Sequence, residues 1–120
     1  MRIIILRGCD GMNVVEEYIC ISNDTNIEYR YAYRLITRKY NGIIAYGIEV
    51  ERKDYLNLKN INLERDSIEL ISTQKHKVKN LLMKLYSSQV SPIHLIDVIG
   101  SYVDEYIYEF NIDLPEEAIN

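Results

Sequence analysis

The sequence predicts an α+β domain, an antiparallel β-sheet of three to five strands with two C-terminal helices packed on one face. Three observations carry this. Residues 27–36, IEYRYAYRLI, alternate with a period of two. Asn41-Gly42 separates that run from a second β-rich run, IIAYGIEVER. Asn-Gly at such a junction favours a two-residue type I′ turn, because both central residues need positive φ. Past residue 72 the apolar period twice becomes that of a helix.

The elements follow in chain order. MRIIIL is a candidate short strand, and Val14, Val15, Tyr18, Ile19 and Ile21 make another that ends at the turn-forming SNDTN. Met1–Asn26 is thus either an N-terminal extension or an extra strand. The 27–52 hairpin has a definite register. With a two-residue loop Leu35 faces Ile48, Tyr33 faces Val50 and Arg34 faces Glu49. A slip by one residue would set apolar against polar along its whole length. LNLKNINLERD is read as a turn with an edge strand, and SIELI (67–71) as a further short strand.

The first helix, near 73–88, takes Ser72 or Thr73 as its N-cap. Its stripe is Val78, Leu81, Leu82, Leu85 and Tyr86, and Lys75, Lys77, Lys79 and Lys84 form a solvated remainder. The second helix, near 92–110, starts at VSPIH, with Ser91 as cap and Pro92 at the first helical position. Ile96, Ile99, Val103, Tyr106, Ile107 and Phe110 form its apolar face, with Leu95 and Tyr102 on the edge. That arc is wide for a helix packed on one side, and it predicts burial between the sheet and a second surface. Gly100 inside this helix predicts a close backbone approach.

Composition narrows the function. The chain has 120 residues, 48% hydrophobic and 27% charged, which fits one domain, residues 1–120, with one core. No apolar run reaches the roughly 20 residues of a membrane span, and the N-terminus lacks a signal peptide, so a cytoplasmic protein is expected. Cys9 and Cys20 have no metal-site spacing. Residues 91–120 hold seven Asp/Glu and no Lys/Arg, an acidic end that phosphates would avoid and that closes in an acidic tail, 112–120. Tyr29, Tyr31 and Tyr33 fall on one side of their strand and Arg30, Arg34 and Arg38 on the other. A single-strand nucleic-acid platform needs aromatics and cations on the same side.

One constellation draws notice. His94, Asp97, Ser101, Asp104 and Tyr108 share a helical stripe about 80° wide. A histidine with carboxylates on one face suits a divalent metal or a general base. The same stripe is also the polar complement of the apolar face, and His94–Asp97 is an ordinary i,i+3 pair rather than a ligand signature. No glycine-rich phosphate loop and no nucleophile motif accompanies it. No catalytic, cofactor or metal residue is therefore assigned, and the stripe is held as a candidate interaction surface.

YGIEVER, the amphipathic helix after it and VSPIHLIDVIGSYVDEYI together resemble a family of small uncharacterised bacterial proteins, a domain of unknown function in low-GC spore-forming anaerobes. The resemblance spans residues 30–110 and implies a small cytoplasmic bacterial protein, with no activity or cofactor attached. The expectation is a non-enzymatic interaction or regulatory protein with a protein partner, a second copy of the chain included, no cofactor and no membrane. The alternatives are a small metal-dependent enzyme using His94, Asp97 and Asp104, and a nucleic-acid-binding protein using the Arg30, Arg34 and Arg38 face.

Overall fold

The computed structural model describes residues 5, 6 and 12–113, with side chains from Met12 to Phe110. Cys9 and the end of the acidic tail lie outside them. Five strands form one antiparallel meander in sequence order: β1 (Ile5–Leu6), β2 (Asn13–Asp24), β3 (Ile27–Tyr40), β4 (Ile43–Leu56) and β5 (Lys59–Ser72). Two helices follow, α1 (Lys75–Ser87) and α2 (Leu95–Tyr106), the second flanked by 3₁₀ turns at Pro92–His94 and Ile107–Asp113. The predicted α+β class holds.

The central hairpin has the predicted register along its full length, from Tyr40↔Ile43 to Ile27↔Leu56. Asn41 and Gly42 have φ of 51° and 78°, as a type I′ turn requires. The β2 reading is also right, and it ties residues 13–24 into the sheet by pairing with β3. The turn and edge strand expected in LNLKNINLERD are present, but SIELI continues that strand instead of forming another: β5 is one 14-residue strand, KNINLERDSIELIS, entered by a tight turn at Asn57-Leu58, both at positive φ (51° and 69°). Register breaks at Tyr46/Ile48 and Asp54/Tyr55 obscured its continuity. The first of these explains a glycine. A Cβ on Gly47 would lie 2.3 Å from the carbonyl oxygen of Ile68. Close backbone approach therefore occurs at Gly47. At Gly100 a Cβ would meet only Ile96 Cγ2, at 3.5 Å.

The main core is the layer between sheet and helices, and Met12, Val14 and Ile36 form a second, smaller cluster. Tyr33, Leu35, Ile48, Val50 and Ile71 of the sheet meet Val78, Leu81, Leu82 and Leu85 of α1 and Leu95 and Ile99 of α2. α1 lies over β3 and β4, and α2 lies over the edge strand β5. Tyrosine hydroxyls in this layer find partners, as buried ones must: Tyr33 donates to Val90 O at 2.9 Å and Tyr18 to Glu16 at 2.7 Å.

α1 begins at Lys75 with Gln74 as N-cap, later than Ser72 or Thr73. Those two side chains are engaged elsewhere. Glu109 Oε1 accepts from Ser72 Oγ (2.6 Å), Thr73 N (2.9 Å) and Thr73 Oγ1 (2.9 Å), and Lys77 Nζ donates to Oε2 at 2.9 Å. The α1 lysines are not a free solvated face. Lys79 and Lys75 reach the buried Glu16 at 2.7 and 3.2 Å. A break in the β2 register between Val14 and Glu16 turns Glu16 toward the helices. Burial opposes the charge of Glu16, but bonds from Lys79, Tyr18 and Lys75 prevail and bring its pKa down to about 2.

Candidate functional site

α2 presents three sides. At about 100° per residue, Leu95 and Ile99 point into the core and are fully buried. Tyr102 and Tyr106 lie on that same side, packed against the core beneath Lys84 (4.8 Å from the ring centroid) and Lys77 (4.7 Å) of α1. Ile96, Gly100 and Val103 fall within about 60° of one another on the next flank, where Val103 is still partly packed on the core. Ile93 and Ile107 extend that line by a turn at each end. Ile93, Ile96 and Ile107 are 70%, 56% and 39% exposed. The wide arc is therefore half used: one side is core, and the other is an open apolar seam beside the outermost strand β5.

The predicted polar stripe borders this seam. His94, Asp97, Ser101, Asp104 and Tyr108 are all exposed. His94 Nδ1 lies 3.3 Å from Asp97 Oδ2, and both side chains are largely in water. Asp104 stands two turns further on, about 10 Å along the axis, too far to share an ion with that pair. Among the described residues no group of three or more His, Cys, Asp or Glu side chains is placed to hold a metal ion.

The opposite sheet face carries the arginines, and it is more closed than its charge suggests. Arg34 donates to Glu17 (2.5 Å), Glu49 (2.8 Å) and Glu51 (2.9 Å). These glutamates are 5%, 3% and 3% exposed, so this part of the face is buried rather than solvated. Arg65 bonds the second oxygen of Glu51. Burial works against the Arg34 charge, yet the bonds to Glu17, Glu51 and Glu49 hold its pKa above the ordinary arginine value. Burial likewise opposes the Glu51 charge, and Arg65 and Arg34 lower its pKa. Arg38 pairs with Glu69 and Arg30 with Glu28. All three predicted arginines are thus committed to carboxylates. The tyrosine side does carry cations that the strand alternation missed, among them Arg52, which sits over the Tyr29 ring at 5.1 Å, held by Asp54 at 2.9 Å. A groove of about 300 Å³ lies between Ile19, Ile21, Arg30, Lys53 and Tyr55, with Arg30 stacked on Tyr55 at 4.5 Å.

Residues 12–105 match the model of a family of unknown function, DUF6514. The chain belongs to this family. The match begins at β2 and ends within α2, so the DUF6514 unit includes the strand that the resemblance left out. No curated protein and no solved structure matches the chain. Sequence reasoning located this helix and its exposed polar stripe. It missed the neighbouring seam as a separate face, because helical period alone does not say which part of a wide apolar arc the sheet covers. It also missed Glu109, whose role needs the β5–α1 junction beside it.

Proposed function

We propose that this DUF6514 member is a non-enzymatic interaction protein that docks another protein on the outer flank of α2. One observation carries the reading: α2, whose inner side is core, and the 3₁₀ turns at its two ends leave isoleucines 93, 96 and 107 in water. Covering three such side chains is worth about 3–4 kcal/mol, allowing for the area already buried. A contiguous apolar line rimmed by polar residues is the usual mark of a contact surface. A cytoplasmic setting belongs to this reading. Cys20 is a free thiol that takes a hydrogen bond from Gln89 at 3.2 Å.

The test is affinity purification of the tagged chain from its native cells after nuclease treatment. Ile93→Asp with Ile96→Asp is run beside Ile21→Asp, an exposed site on the far strand β2. The expected result is one stoichiometric protein retained by the wild type and the Ile21 variant and lost from the seam variant. Equal recovery from all three would sink the reading.

A further inference from the structure

The seam has a definite spacing. Ile93, Ile96, Gly100, Val103 and Ile107 are separated by three, four, three and four residues, the a and d spacing of a heptad, with Ile93 in the 3₁₀ turn before α2, Ile107 just past its end and Val103 partly packed on the core. Asp97 and Asp104 then occupy the e positions, and both are exposed. The g positions are Ile99 and Tyr106, turned to the core. Such a seam takes a helix, and its one free rim is acidic. Residues 91–110 contain four Asp/Glu and no Lys/Arg, so no cation of α2 offsets that rim.

We infer that the occupant is an amphipathic helix of another protein with lysine or arginine along its flanks. This rests on the docking reading above. A second copy of the chain fits poorly. Antiparallel self-pairing sets e against e, bringing the two aspartates against the same two aspartates of the other copy. Parallel pairing needs the g positions, which the core already holds. An anionic lipid surface is repelled by the same rim. A basic partner meets complementary charge, which is what selects partners at e and g positions. Gly100 completes the match. Nothing in the chain's own packing requires it, and at an a position it lets a partner helix approach closely.

The experiment selects binders from a displayed library of amphipathic helices with a fixed apolar seam and flanks drawn equally from Lys, Glu, Gln and Ser. The full-length wild type is screened beside Asp97→Lys with Asp104→Lys, and sedimentation reports whether each is monomeric. The expected result is roughly five- to tenfold enrichment of Lys over Glu on the wild type, inverted on the double variant, as two exposed charge pairs supply. Binders without charge preference would overturn the basic partner and leave the docking seam standing. A wild-type dimer abolished by Ile93→Asp with Ile96→Asp would also overturn it, making the occupant a second copy. A monomer with no binders at all would overturn both readings.

Discussion

Glu109 fastens the segment after α2 to the β5–α1 junction, and its removal has a calculable effect. The carboxylate takes four hydrogen bonds, from Ser72 Oγ, Thr73 N, Thr73 Oγ1 and Lys77 Nζ. Burial raises its pKa, but Ser72, Lys77 and Thr73 prevail and hold it at about 2, against 4.5 for an ordinary glutamate. A carboxylate depressed in the folded state stabilises the fold above its unfolded pKa, and that contribution is lost as pH falls toward the folded value. At 1.36 kcal/mol per unit the shift is worth at most about 3 kcal/mol, and screening of the part-exposed group reduces it to about 2. Glu109→Gln keeps an acceptor for Ser72 and Thr73 but loses the ion pair with Lys77. It should cost about 2 kcal/mol near neutral pH. The assay is urea unfolding of both proteins by tyrosine fluorescence across a pH series. The gap between them should close progressively as pH falls from about 5 to about 2. A gap that is absent at neutral pH, or constant across the series, would refute this account of the junction.

Three further outcomes follow from the same geometry. Gly100→Ala should raise stability by about 0.8 kcal/mol, because helical glycine is costly and the new methyl meets only Ile96; Gly47→Ala should lower it by several kcal/mol, since its Cβ would overlap the Ile68 carbonyl. Thermal melts of the two variants should move in opposite directions. Arg34→Met should cost about 3–5 kcal/mol near neutral pH by taking the shared guanidinium from the buried Glu17, Glu49 and Glu51, with the deficit shrinking in acid as Glu51, whose pKa Arg65 and Arg34 lower, protonates; a deficit that grows in acid would contradict this. Leu58 is 92% exposed at φ 69°, so Leu58→Gly should relieve about 1 kcal/mol of backbone strain at no loss of packing, and a drop in melting temperature would disprove it.

How far the sequence reached follows local physics. The β3–β4 register was legible because Asn41-Gly42 dictates the turn and the side-chain period forbids a slip. The full length of β5 was not, because its turn is Asn57-Leu58 with no glycine and its bulges break the alternation that marks a strand. The role of Glu16 was hidden by a bulge that changes which way it points. The wide apolar arc of the last helix was legible, and the sheet and α1 cover only part of it. Its polar stripe was legible from spacing, but the seam beside it became visible only once the sheet had covered Leu95 and Ile99.

The central claim is that the outer flank of α2 is covered by another protein in the cell. A photo-crosslinking residue placed in turn at each position from 93 to 108 in the living cell tests it most directly. The account predicts adducts with one protein that peak at 93, 96, 100, 103 and 107 and fall between them, at 98 and 105. Uniform weak labelling along the helix, or a peak confined to 94, 101 and 108, would contradict it.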